Sequence, residues 1–477
     1  MNRKLSFSVD DESIDIVKRY EQFLSGKATG YFDVEELENI VEYYLRRGRT
    51  KDCTKALELG LQLHPNNNAL KTKRAKIYLF LGDNQKASRI LDKLTETSDY
   101  EVILLKIEVQ VKMDNYKEAE LLINQLFLEE QDDIDSICLD IAYIYLGHAN
   151  YDEALALLEK GDIQNKRNIE LLYELAFCYE QAENYERAIE TYNRILNIDS
   201  YSDEAWFNLG QIYFTMQEFS KALDAYEFAL TIDESDSLTV LQKAHVHFQL
   251  DQFEEAIEAY LEYKVMTSNV WQTEIFVGEC YERMERYEEA LAYYRLSLEA
   301  HPHNYDALTG IGICLLEQEF YAESKTYIER AIELDPEAPD AWVYLAEAFI
   351  GLDDAENALD AYQRSISFDF EQPDTLMAIA NIYLEKGEYD DALFHYIQAF
   401  TMDDTLEFIN MFIAVANFKK GNLFAAMPYL KLAMMESDQA ASLFLELCPE
   451  AIETLFLDNV AESKLLPPKF DEDDLVF

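Results

Sequence analysis

Seven histidines, six cysteines and 93 acidic residues are the groups in this chain with chemistry to offer. Their spacing assembles no reaction centre. His245 and His247 stand two apart in a helical stretch, so they point to different sides and cannot share a metal as residues four apart do. His301-Pro302-His303 falls in a turn, where imidazoles are solvated. No two cysteines form a C-x-x-C pair. Cys178, Cys280 and Cys314 occupy a place that Ile212, Val246, Ala348 and Ile382 fill in comparable stretches, so a small, buried, reduced role is expected of them. There is no glycine-rich phosphate loop and no H-E-x-x-H, G-x-S-x-G or D-x-D-x-D-G pattern. Among so many carboxylates, the adjacency of any acidic pair carries no information. The expectation is no catalytic residue, no metal ligand and no cofactor.

The elements around these residues follow one rule, and the stretch Asp203–Asp236 states it. Trp206, Leu209, Gly210 and Tyr213 fall at internal positions 4, 7, 8 and 11, one face of an α-helix. Ala222, Tyr226 and Ala229 fall at 20, 24 and 27, one face of a second. The turn Thr215-Met216-Gln217-Glu218 separates them. Two helices folded back to back need a small residue at their closest approach, and Gly210 and Ala222 supply it. From Asp135 the pattern recurs every 34 residues, with units starting at 135, 169, 203, 237, 271, 305, 339, 373 and 407. Position 8 is Ala or Gly throughout, and position 20 is Ala except for Ser324. Position 24 is Tyr192, Tyr226, Tyr260, Tyr294, Tyr362 and Tyr396. Looser units occupy 34–67, 68–99 and roughly 100–134, and the register slips between them.

This series resembles the tetratricopeptide repeat, whose signature runs W-x2-L-G-x2-Y and then A-x3-F over 34 residues. The resemblance covers about twelve units. It implies an all-α fold, an α-solenoid (a right-handed superhelix) of tandem helical hairpins, in which stability accumulates through neighbour contacts. Residues 1–33 read as an N-terminal capping helix, with Asp10 or Asp11 at its start. Asp33 and Glu36 read as a capping box for the next helix. Residues 34–440 form the repeat array, 441–460 the C-terminal capping helices and 461–477 an acidic mobile tail.

Net charge is −53. It repels phosphate backbones and anionic lipid surfaces, which disfavours nucleic acid and membrane partners and steers basic partners inward. No apolar run reaches the roughly 18 residues of a membrane helix, and Ser6–Asp15 has no hydrophobic stretch to serve as a secretory signal. The expected compartment is the cytoplasm.

In the family, the first helix of each pair lines a concave groove that accepts an extended peptide or partner helix. The resemblance implies the same here. Positions 2, 5, 9 and 12 flank the inner stripe and form the expected groove lining. They read Tyr173, Phe177 and Glu180, then Phe207, Gln211 and Phe214. Next come Leu241, His245 and Phe248, then Ile275, Glu279 and Glu282, and further on Val343, Glu347 and Ile350. Aromatic residues at positions expected to face solvent suggest an apolar, acid-lined groove for a basic, amphipathic segment, unless curvature buries them against neighbouring repeats. The carboxylate clamp of some relatives, built from Lys, Arg and Asn, is not expected here. Two residues break the pattern: Lys243 at apolar position 7, and Glu274 at position 4. If adjacent first helices touch, these two would form a partly buried ion pair. The expected function is a non-catalytic interaction scaffold. The alternatives are a chaperone for basic client segments, an architectural dimer and, with no residue cluster to nominate it, an enzyme. The sequence leaves the oligomeric state open.

Overall fold

A computed structural model describes residues 11–27, 30–94, 99–129, 132–267 and 270–451. They form 26 helices, and no strand occurs among the described residues. Setting aside the first and last, the other 24 make twelve consecutive pairs. The chain divides into two compact units, Met1–Glu234 and Ser235–Phe477.

In the first unit, α1 (Asp11–Leu24) precedes α2 (Val34–Arg46) and α3 (Thr50–Leu63). The next pairs are α4 (Asn68–Phe80) with α5 (Asn84–Leu91), and α6 (Tyr100–Lys112) with α7 (Tyr116–Glu129). Then come α8 (Ile134–Leu146) with α9 (Tyr151–Gln164), α10 (Ile169–Gln181) with α11 (Tyr185–Ile198), and α12 (Asp203–Thr215) with α13 (Phe219–Ile232). The second unit holds α14 (Ser237–Gln249) with α15 (Phe253–Thr267), and α16 (Val270–Arg283) with α17 (Tyr287–Ala300). It continues with α18 (Tyr305–Glu317) and α19 (Tyr321–Leu334), then α20 (Pro339–Gly351) and α21 (Ala355–Phe368). It closes with α22 (Pro373–Lys386) and α23 (Tyr389–Met402), α24 (Ile409–Lys419) and α25 (Leu423–Glu436), and finally α26 (Asp438–Leu447). Within each unit the two helices of a pair pack most closely, and the second of each then meets the first of the next.

The register slip has a physical seat. Helix α5 is 8 residues long where most second helices have 14, and its eight-residue link to α6, against four residues between Ile198 and Asp203, leaves this repeat two residues short. The capping box stands as expected: Asp33 Oδ1 accepts from the Glu36 amide at 2.9 Å, and the Asp33 amide donates to Glu36 Oε2 at 3.2 Å. Helix α1 lays Val17 and Tyr20 on Leu37, Ile40 and Tyr44. At the other end α26 packs Ala440 and Phe444 on Met411, Val415 and Leu430. The expectations placed on Asp10, and on the chain from 452 onward including the acidic tail, lie outside the described residues.

All twelve hairpins turn the same way. Position 15 of every pair is left-handed, with φ between +55° and +85°. Gly48, Gly82, Gly387 and Gly421 hold it in four pairs, whereas residues such as Glu183, Gln217 and Asp353 hold it in the other eight. A side chain there costs roughly 1–2 kcal/mol, which the hydrogen bonds closing the turn offset. Gln217 N–H donates to Phe214 O at 2.9 Å and Glu218 N–H to Tyr213 O at 2.8 Å.

The small residue at position 8 makes room for a ring. A Cβ on Gly210 would meet Tyr226 Cε1 at 2.4 Å, so it is the position-24 tyrosine, rather than Ala222, that fills the space. Tyr294 is held from both sides: a Cβ on Gly278 would meet its ring at 2.7 Å and one on Gly310 at 2.4 Å. With neither side able to yield, Gly310→Ala is expected to lower stability by about 1–2 kcal/mol, overpacking outweighing the better helix propensity of alanine. A denaturant midpoint at or above that of the parent chain would show that the ring moves aside.

Candidate partner-binding faces

In the first unit the anticipated lining residues are all half-buried. Tyr173 packs edge-on against Tyr192, with ring centres 6.1 Å apart, and its hydroxyl bonds Ser202 Oγ. Phe207 lies 5.8 Å from Tyr226, and Phe214 packs on Phe219 at 5.5 Å. Phe177 reaches back to Tyr151 of the preceding pair at 6.1 Å. Gln211 stands between Phe207 and Phe214 on the same helix, also half-buried. Each ring therefore holds a neighbouring helix with one face and leaves its remaining edge at the surface.

The second unit divides more sharply. Leu241, His245 and Phe248 are half-buried on α14. Phe248 packs on Phe253 at 5.6 Å, and His245 on Phe276 of the next pair at 5.1 Å. His245 Nδ1 is 2.8 Å from the Tyr260 hydroxyl, and burial lowers its pKa, so it is a neutral hydrogen-bonding group at neutral pH. His247 Nδ1 instead meets Gln252 Oε1 at 2.8 Å. Ile275 departs from the expected solvent-facing stripe. It is 4% exposed and belongs to the core with Tyr294 and Ile311. Glu279 and Glu282 are half-buried.

These two carboxylates, with Glu347 on α20, set the electrostatics of this face. Glu282 accepts from the Tyr294 hydroxyl at 2.7 Å, as Glu180 accepts from Tyr192 at 2.6 Å in the first unit. Burial pushes Glu279 up to about 7, and repulsion from Glu282 and Asp306 adds to it. Burial likewise raises Glu180, Glu282 and Glu347, with Glu317 adding repulsion at the last. No salt bridge neutralises Glu279, Glu282 or Glu347 among the described residues. The position-24 tyrosines were singled out as core residues only. Their second role, donating a hydroxyl to a lining side chain, was visible as Glu at position 12 in the same units as Tyr192 and Tyr294. Asn381 takes the equivalent bond from Tyr396 at 2.5 Å, from position 9.

The proposed Lys243–Glu274 pair is corrected by the geometry. Glu274, 2% exposed, receives Lys264 Nζ on Oε1 at 2.6 Å. Lys264 sits on the last turns of α15, the second helix of the preceding pair, because second helices lie against the next first helix and bring their C-terminal turns to its start. The cysteines are all buried and unpaired. Burial raises the thiol pKa of Cys53, Cys138 and Cys448 to about 11 and of Cys178 and Cys280 to about 12, which keeps them protonated and unreactive. No helix among the described residues is long and apolar enough to cross a membrane.

Family models fit this arrangement. A tetratricopeptide repeat model matches residues 203–236, the stretch that states the sequence pattern, and a second matches 145–211. The chain is a tetratricopeptide repeat protein. A model described as the cilia and flagella-associated protein 70 C-terminal domain matches residues 227–443. No curated protein matches. Similar solved structures include the APC/C hetero-tetramer Cut9-Hcn1, 14% identical, covering 84% of this chain and 98% of that one at a TM-score of 0.40. Another is a tetratricopeptide repeat protein from Parabacteroides merdae, at 17% identity, 52% and 98% coverage and a TM-score of 0.44. A third is YrrB, a tetratricopeptide repeat protein with an unusual peptide-binding site, at 18% identity, 40% and 98% coverage and a TM-score of 0.32. Tetratricopeptide repeat proteins generally mediate protein–protein interactions and are generally non-catalytic.

Proposed function

We propose that this chain is a non-catalytic scaffold whose first-helix faces receive protein partners. The face built on α14, α16 and α20 takes a basic, amphipathic segment. One observation carries the reading: Glu279, Glu282 and Glu347 are half-buried at lining positions with raised pKa values and, among the described residues, no salt bridge. Carboxylates left in that state gain from an incoming guanidinium or ammonium, which replaces lost hydration and relieves their mutual repulsion. Leu241 and Phe248 on α14 offer apolar contact to the other side of such a segment. The cytoplasm, where six buried thiols stay reduced, is the compartment we assign.

A fluorescent peptide alternating leucine and arginine, titrated into the full chain, tests this. It is expected to bind, and to bind roughly tenfold more weakly to the Glu279→Gln/Glu347→Gln double variant. Phe248→Ser is expected to weaken the same peptide while the chain stays folded. Equal affinity for parent and double variant would remove the acidic face from the reading. Equal binding of any basic chain, abolished between about 0.1 M and 1 M salt, would favour a holdase over a scaffold.

A further inference from the structure

Residues 46–93 invert the charge of the molecule. They hold twelve lysines and arginines against four acids, a net +8 inside a chain of −53, so the remaining residues carry −61. The belt covers the end of α2, all of α3 and α4, and α5. Part of it is used internally: Lys73, on α4, bridges Glu42 of α2 at 3.5 Å and Glu101 of α6 at 3.2 Å. The end where α2 turns into α3 and α4 into α5 is different. Arg47 is exposed and lies over the Tyr43 ring at 3.9 Å, and Arg74 is exposed 5.9 Å from the Tyr78 ring, which Lys86 also approaches at 5.4 Å. Glu42 adjoins Tyr43 in sequence and Lys73 adjoins Arg74, so the Glu42–Lys73 contact places the two stations on neighbouring helices.

Most other cations over tyrosines in the array also carry a carboxylate; Arg330 over Tyr327, in the second unit and outside the basic belt, is an exception among the described residues. Arg187 over Tyr179 is paired with Glu159 at 2.9 Å, and Arg286 over Tyr281 with Glu289 at 2.6 Å. Arg49 over Tyr44 is paired with Asp52 at 2.8 Å, and Lys86 with Asp83 at 2.7 Å. Among the described residues Arg47, Lys51 and Arg74 have no such partner, in a chain of 93 acids. Arg47, stacked on its ring, keeps its N–H rim free, as does the exposed Arg74 beside Tyr78, and a guanidinium rim matches a carboxylate in two parallel bonds.

We propose that this turn edge of α2–α5 docks an acidic polypeptide segment supplied by a partner. A short run of Asp or Glu spans the two arginine stations and ends before it meets the acidic remainder of the chain. An extended polyphosphate backbone carries its charge on into that repulsive field, so nucleic acid fits less well.

The experiment is anisotropy of a labelled oligoglutamate peptide titrated into the full chain at about 0.1 M salt. Arg47→Ala/Arg74→Ala is expected to weaken binding by about tenfold, since both charge-assisted contacts go, while Arg330→Ala in the second unit leaves it unchanged. Circular dichroism of the double variant should match the parent, both side chains being exposed. Equal affinity for parent and double variant, or an equal loss in Arg330→Ala, overturns the proposal. An oligothymidylate of equal charge binding more tightly overturns it in favour of nucleic acid. Self-association that the double variant abolishes overturns it in favour of a second copy of the chain.

Discussion

Lys264→Met is expected to destabilise the second unit by about 3 kcal/mol, the low end of the range for breaking a buried ion pair. Glu274 is 2% exposed and its Oε1 lies 2.6 Å from Lys264 Nζ, while Oε2 has no hydrogen-bond partner among the described residues. Methionine keeps most of the aliphatic stem and removes only the charge, leaving a carboxylate with neither water nor a cation. Lys264 is 32% exposed, so water reaching its end of the pair keeps the cost from going higher. Adding Glu274→Leu to the same chain is expected to recover most of the loss, because a well-packed apolar pair replaces a buried ionic one at little or no cost. Denaturant unfolding of the two single variants and the double variant gives the coupling directly. A Lys264→Met loss under about 1 kcal/mol, or no recovery in the double variant, would show that Glu274 does not depend on this partner.

Glu279→Gln is expected to raise stability at pH 8 by about 2–3 kcal/mol and to have almost no effect at pH 4. The carboxyl titrates near 4.5 in an unfolded chain and near 7 in the fold. Below pH 4.5 both states hold the proton, and the site carries no penalty. Between 4.5 and 7 unfolding releases a proton, so stability falls as pH rises. Above 7 the fold carries the whole cost of a buried anion beside Glu282 and Asp306. Glutamine has the same shape and no charge, and removes that slope. Thermal melts of parent and variant from pH 4 to pH 8 should therefore converge at the acid end and separate at the basic end. Parallel melting curves across the range would place the Glu279 carboxylate in ordinary hydration. The same titration bears on partner binding: a cationic segment that holds Glu279 ionised is expected to release a proton on binding below pH 7.

The repeat was legible because each helix pair writes its own contact surface into the chain. A small residue at position 8 facing a large one at position 24, a tyrosine in six of the nine units in register, recurs wherever the two helices of a pair cross and leaves the pattern unmistakable. The lining positions were legible as places on a helix. What each side chain does there was not. Phe207 and His245 pack on Tyr226 and Tyr260, and Ile275 is taken into the core, because burial depends on which side chains the partner helix and the adjacent pair bring within reach. The partner of Glu274 was misassigned for the same reason. Sequence spacing shows which residues share a helix face, but the meeting of α15 with the start of α16 decides that Lys264 arrives there.

By itself, then, the sequence determined the helical phase of the repeats, the hairpin unit, the capping box at Asp33 and the absence of any familiar catalytic motif. These are properties of one helix or one turn, set by local geometry. Only the tertiary structure decided the arrival of Lys264 at Glu274, the tyrosine hydroxyls on Glu180 and Glu282, and the rise of Glu279 to about 7. Each depends on how far water is excluded and which charges lie across a gap between helices, and spacing along a chain does not encode either.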